Sequence, residues 1–486
     1  MFSPSSYQME AFNNNFQENQ NEQSGNISEN DQELMNASND NLIYGEEECN
    51  GNAQNSFGDD SNIPSYCGIK GNSIESAILN ICASAVGSGC FTFPWIISTL
   101  GVFNSIFIFC VVTVCIYYSL DLLRSFVVDT KNFSFSLMTE VTLGKKWLRV
   151  YSISSFFYYL SFNITYICLF YSIYKSFWVS HSSFLGFIFL LVTCSIEIFI
   201  CVYTSKIKKI NLLSLITMFN YFIIVLVTVI EGFHNSIHDK YISKKFSKKY
   251  LLNPPKDQGG WKVFFASITA CTKYIFAYSY HCSFPTLIGN LKNINNTNSK
   301  KVHRISFGIL AGTYFLLGFF GYLIKDNVST VLFREYEDSN EKDYFTVAIK
   351  VILFIFLFSL IPSRYIVVRD GYTSLIGKEK LTYKIDLLIT ALSFIFCNVL
   401  GFMNEERFVE EGYIKLDIIS IMVNIFGGLF GVIIVFGLPV INYAAVNGKR
   451  KLKSLIGYGI TGLFLVVGLL SFGYSFHEMF MTKDDE

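Results

Sequence analysis

Apolar runs of roughly 18 or more residues, each long enough to cross a bilayer as a helix, recur along this chain. Eleven are counted, near 73–98, 101–123, 149–174, 183–203, 210–231, 261–289, 303–324, 346–368, 384–403, 415–441 and 455–476. Short polar connections separate them, and residues 1–69 precede them without any such run. The pattern predicts an all-α polytopic membrane protein of about eleven transmembrane helices, with a disordered tail over 1–69 and a transmembrane domain over 70–480. An odd number of spans puts the two termini on opposite sides.

Two of these runs are poor material for a continuous helix. The first reads Ser84-Ala85-Val86-Gly87-Ser88-Gly89 at its centre, with Pro94 shortly after. Paired glycines and a following proline oppose helix propagation. The sixth reads Tyr278-Ser279-Tyr280-His281 in its second half, with Pro285 near its end. A break at membrane depth leaves backbone groups unpaired, which is tolerated where they line a cavity or bind a ligand. Spans one and six hold equivalent places in two five-span halves. Interrupted helices at corresponding positions are the sequence pointer to a transporter with inverted repeats. The expected architecture is therefore five plus five spans with one addition.

Charge orients the chain. The connections 121–149, 204–210, 290–303, 364–384 and 442–454 carry most Lys and Arg, Arg364 and Arg369 among them, which places them and the N-terminus on the cytoplasmic side. The loops 325–345 and 404–414 are mostly acidic; the long loop 232–260 is basic and runs against the rule. Residues 1–69 contain no Lys or Arg and are rich in Asn, Ser, Gln and Glu, so the tail cannot bury enough apolar surface to fold and lacks the basic region of a signal peptide. The first span is expected to act as an uncleaved anchor. A zero formal net charge argues against a nucleic-acid partner. All twelve cysteines except Cys49 and Cys67 lie in apolar segments, where they read as small core residues rather than disulfide or zinc partners. No HExxH, Walker loop or GxSxG occurs, so nothing points to an enzyme.

Residues at the breaks suggest a substrate. Backbone N–H groups over Ala85, Val86, Gly87, Ser88 and Gly89 suit a carboxylate at a half-helix N-terminus. Carbonyls over Phe276, Ala277, Tyr278 and Ser279 suit an ammonium. A free α-amino acid carries both charges at a fixed separation. The run Ala85-Val86-Gly87-Ser88-Gly89 with Pro94, then Phe276-Ala277-Tyr278 with His281, Pro285 and Asn290-Leu291-Lys292-Asn293, resembles the amino acid/auxin permease family of transmembrane amino acid transporters. So do Leu360-Ile361-Pro362-Ser363-Arg364 with Arg369-Asp370, and Phe426-Gly427-Gly428 with Phe436-Gly437-Leu438-Pro439. The resemblance implies a LeuT-like fold and amino acid transport coupled to sodium or protons. Sodium-coupled relatives carry Asn where this chain has Ala83, with Asn80 one turn earlier. They also carry a span-eight hydroxyl where this chain runs Ile352-Leu353-Phe354-Ile355-Phe356-Leu357-Phe358. Coupling to protons, or facilitative transport, is therefore expected ahead of sodium.

Other polar positions have two readings each. Lys273 either faces a cavity, as a cation surrogate, proton carrier or anion site, or reaches back to the interface. His281 is either a proton carrier or a satisfied packing residue. Asn80 is a candidate for ion coupling. Glu197, mid-span, suits a buried pair or a structural hydrogen bond. Glu231, His234 and His238 imitate a metal site but lack a fourth ligand, so no metal or other cofactor is expected. Gly308–Gly312 and Gly427–Gly431 suit close helix packing. Asn327-Val328-Ser329 is a glycosylation sequon in an expected outer loop. The function expected is secondary transport of amino acids by alternating access, in the plasma membrane or an acidic internal (vacuolar) membrane. Alternatives are an amino acid sensor using the same pocket and a transporter of polyamines or other organic cations. The partners expected are a small-molecule amino acid and the lipid bilayer.

Overall fold

The computed structural model describes residues 72–131, 133–177, 192–201, 210–238, 260–324, 328, 331–332, 344–376, 383–406, 418–448 and 450–481. The tail, the sequon residue Asn327 and most of the 232–260 loop lie outside the described residues. In chain order the helices are α1 (Ile74–Ala85), α2 (Phe93–Leu100), α3 (Val102–Thr130), α4 (Phe135–Leu143), α5 (Lys145–Phe177) and α6 (Val192–Cys201). They continue as α7 (Ile210–His238), α8 (Gly260–Ala277), α9 (Phe284–Gly289), α10 (Asn296–Tyr322), α11 (Tyr344–Ile376) and α12 (Tyr383–Glu406). The last are α13 (Ile418–Phe426), α14 (Leu438–Asn447) and α15 (Leu452–Met481), with π-helical turns over Gly427–Gly431 and Ile433–Gly437 joining α13 to α14.

Among the described residues eight helices are long and apolar enough to span a membrane, or nine if the bent pair in span one is counted. The remaining two of the eleven expected spans are the fourth, described only as α6, and the sixth, divided into α8 and α9. Several helices outrun the apolar stretch that announced them. α3 continues to Thr130, and α11 continues to Ile376 with Pro362 inside it. Arg364 and Arg369, assigned above to an inner loop, therefore lie within a helix. The short helix α4 in the 121–149 connection was not foreseen.

The packing is arranged as lipid requires. Phe107 on α3, Phe219 on α7, Leu388 on α12 and Val466 on α15 are exposed on outward faces. In water such faces would form large apolar patches. Polar residues point inward: Ser154, Ser161 and Thr165 on α5 are buried. α5 is the central helix, with 83% of its apolar window buried, and it packs along α11, α12 and α13. Glu197 on α6 accepts from Asn398 Nδ2 at 3.2 Å, the structural hydrogen bond that a mid-membrane carboxyl requires.

Close helix approach uses one of the two expected small-residue motifs. A Cβ built on Gly431 would lie 2.9 Å from Tyr158, and one on Gly427 3.2 Å from Phe276. Among the described residues nothing lies within 4 Å of a Cβ built on Gly308 or Gly312, so that pair mediates no contact between them. A very close approach joins α15 to the π-helical turn, where a Cβ on Gly468 would clash with the Gly428 carbonyl oxygen. Gly468→Val should lower the unfolding midpoint of the detergent-purified protein by several degrees, since overpacking costs ~1–3 kcal/mol. Gly308→Ala, measured in the same thermal assay, should leave the midpoint within about 1 °C, as substitutions away from packed sites do.

Candidate functional site

Span one stops and restarts. Ser73 caps α1, its hydroxyl accepting from the Ser76 N–H at 3.3 Å. α1 ends at Ala85, where Val86 and Gly87 turn extended and a 3-10 turn over Ser88–Thr92 leads into α2. Thr92 Oγ1 donates to the Gly89 carbonyl at 2.8 Å. Pro94 follows in the first turn of α2, where a missing N–H costs nothing. The two halves meet at 56°. Span six does likewise: α8 ends at Ala277, residues 278–283 are non-helical, and α9 resumes with Pro285 in its first turn. Two backbone bonds tie the entrance of one span to the exit of the other, Asn72 N to Asn290 O at 2.7 Å and Lys292 N to Asn72 O at 3.1 Å.

The two breaks touch. A Cβ on Gly89 would lie 2.9 Å from Ala277 Cα, so only glycine permits this separation. A Cβ on Gly87 would lie 2.7 Å from the Tyr166 hydroxyl and 3.4 Å from Arg364 Nη2. Ala85, Val86, Gly87, Ser88 and Gly89 are all buried, as are Phe276, Ala277, Tyr278 and Ser279. These nine candidates form one closed cluster between α5, α8, α10 and α11.

Each helix that ends at a break leaves carbonyls without an intrahelical partner and a partial negative charge. Side chains from neighbouring helices take them. Tyr314 on α10 places its hydroxyl 3.0 Å from Ala277 O and 3.2 Å from Ala85 O, sharing one proton across both breaks. Tyr159 on α5 donates to Ser279 O at 3.0 Å. Arg364 on α11 donates from Nη1 to Ser279 O at 2.7 Å, and from Nη2 to Ala85 O and Val86 O at 3.1 Å each. Its guanidinium carbon lies 5.0 Å from the Phe162 ring and 5.9 Å from that of Tyr159, within cation–π reach. Of the carbonyls expected to receive an ammonium, those of Ala277 and Ser279 are thus held by tyrosines and a guanidinium. Phe162 stacks on Phe276 at 3.8 Å, and Tyr158 meets the edge of Phe276 at 5.8 Å.

Arg364, Tyr314, Tyr159 and Tyr166 were not singled out from the sequence. The available signal was an arginine two residues past a proline that still lies within an apolar helix.

The remaining candidates sit around this cluster. Asn80 is buried on α1. Lys273, 2% exposed, does not reach an interface: its Nζ lies 3.6 Å over the Trp95 ring of α2, while Trp261 at the start of α8 is 77% exposed. His281 is buried in the turn before α9, its ring 5.9 Å from that of Tyr280, and neither of its nitrogens has a hydrogen-bond partner among the described residues.

Two broken helices that meet at their breaks beside a central helix define a transporter of the LeuT fold. Solved structures share it. The manganese transporter of Eremococcus coleocola, in complex with an aromatic bis-isothiourea substituted compound, is 12% identical over 85% of this chain and 88% of its own, with a TM-score of 0.57. MhsT in complex with L-phenylalanine is 15% identical over 85% of this chain and 100% of its own, with a TM-score of 0.52. At such identities the likeness shows the fold alone. The family model for transmembrane amino acid transporter proteins matches residues 70–481, and the chain belongs to that family. It is a multi-pass integral membrane protein, and its family and fold are those of transporters rather than of enzymes.

Valine at Gly87 or at Gly89 should cut substrate uptake at least ~tenfold, equivalent to about 1.4 kcal/mol and within the ~1–3 kcal/mol range of overpacking. Uptake into proteoliposomes, normalised to folded protein, checks this, with Gly312→Ala as the control that keeps full uptake.

Proposed function

We propose that this protein carries amino acids across its membrane by secondary transport with alternating access, driven by protons or by the substrate gradient itself. The observation that carries the reading is the contact of the two helix breaks at Gly89 and Ala277 in a chain of this family. A substrate carboxylate would find positive backbone charge at the N–H groups opening the 3-10 turn at Ser88. Rocking one bundle against the other would expose that cluster to each side in turn. The aromatic lining from Phe162, Phe276 and Tyr158 offers a surface for an apolar side chain. Asn80, Lys273 and His281 are the candidates for ion coupling, with His281 the proton carrier. The protein would lie in the plasma membrane or an acidic internal membrane, its N-terminal tail cytoplasmic.

Organic cations and polyamines fit less well. Two cationic side chains, Arg364 and Lys273, are buried near the cluster, and each would repel a cationic substrate. A sensor using the same pocket differs from a transporter in needing the tail to signal.

The test is uptake of a radiolabelled amino acid mixture into proteoliposomes under a proton gradient, a sodium gradient or neither. Accumulation under the proton gradient, or equilibration without any gradient, is the expected outcome. Accumulation that requires sodium would refute the coupling assignment. Binding without uptake, together with loss of a signalling output on deletion of residues 1–69, would replace the transporter by the sensor.

A further inference from the structure

We infer that Arg364 is a resident cation of the transport site, filling the carbonyl cage between the two breaks and receiving the substrate through its carboxylate. The inference rests on the transporter reading above and names the group that selects the substrate's charge. Its first support is where the guanidinium lies. One Arg364 side chain donates to Ala85 O and Val86 O of the first break and to Ser279 O of the second. Three converging carbonyls at the ends of two helices are what a free monovalent cation or a substrate ammonium would seek, and here a covalently attached cation holds them.

The second support is what the guanidinium lacks. Among the described residues no ion pair joins a carboxylate to Arg364, in contrast to Arg124 with Asp121 and Arg369 with Asp386. A buried guanidinium without a counter-anion is a standing attraction for one. Among the described residues Arg364 Nε and the Ser88 hydroxyl have no hydrogen-bond partner, and both are buried. Tyr166 and Arg364 both close on the empty side of Gly87. A carboxylate arriving at the Gly87–Ser88 backbone would meet the positive charge and these unused donors together. Arginine suits this place because its planar fork spreads donors over several acceptors and still presents an edge to a carboxylate. It keeps its charge throughout the physiological pH range, so it is not the proton carrier, and it makes a sodium ion in this cage unnecessary.

Competition and substitution test this in full-length protein reconstituted in proteoliposomes. The probe is a tritiated mixture of the common L-amino acids. Competitors are unlabelled amino acids, their carboxamides, and the amines left when the carboxyl group is removed. Wild type should be competed by the acids, but by amides and amines at least ~tenfold more weakly, and uptake should change less than ~twofold when choline replaces sodium. Arg364→Gln should weaken binding about thirtyfold, mid-range for a charge-assisted hydrogen bond. Arg364→Lys should recover part of that loss, and added methylguanidinium should restore part of the binding of Arg364→Ala. Amides competing as well as acids in wild type would overturn the inference while leaving amino acid transport standing. So would folded Arg364→Gln binding the acids within ~twofold of wild type. If the variants do not fold, the wild-type comparison of acid with amide decides alone. Absence of amino acid binding and uptake in wild type would overturn the transporter reading and this inference with it.

Discussion

The organisation of this membrane domain depends on one guanidinium that bridges two interrupted helices. A break at bilayer depth exposes carbonyls that lipid cannot satisfy. Arg364 satisfies carbonyls from both breaks at once. Burying an arginine costs several kcal/mol in lost hydration. Hydrogen bonds to a charged donor return about 1.5–3 kcal/mol each, and the negative ends of α1 and α8 add to them. The cation thus stabilises the breaks, and the breaks make the buried cation tolerable.

The neighbouring parts follow from that arrangement. Tyr314 and Tyr159 take further carbonyls, which brings α10 and α5 against the breaks. Gly87 leaves room beside Tyr166 and Arg364, and Gly89 lets the two spans touch. The backbone bonds between Asn72 and the Asn290–Lys292 segment fix the ends of the broken spans relative to each other. A site built this way is held by bonds between elements rather than within them.

Much of this was legible in the sequence, and the reason is physical. Hydropathy measures the cost of placing a segment in lipid, so it located the spans and the interruptions at Val86–Gly89 and Tyr278–Pro285. It does not measure which way a side chain points. An arginine close behind an apolar run reads as a loop anchor, and only the continuation of α11 past it reveals that Arg364 turns inward. Gly308 and Gly312 show the converse: the spacing is right, but a Cβ built there meets none of the described residues. Tyr314 and Tyr159 were hidden for a different reason. In a chain with 29 tyrosines and 49 phenylalanines, ring content cannot single out the hydroxyls that bind a carbonyl. Lys273 was visible as an anomaly from the start, but its resting place over Trp95 depended on the packing of α2 against α8.

The most direct test of the central claim is an experimental structure of the full-length protein with a bound amino acid, at a resolution that shows side chains. The account predicts density between the Gly87–Gly89 backbone and α8, with the carboxylate within hydrogen-bond distance of Arg364. Density for the amino acid elsewhere, with Arg364 still enclosed by Ala85, Val86 and Ser279, would contradict it: the guanidinium would then be only a structural brace.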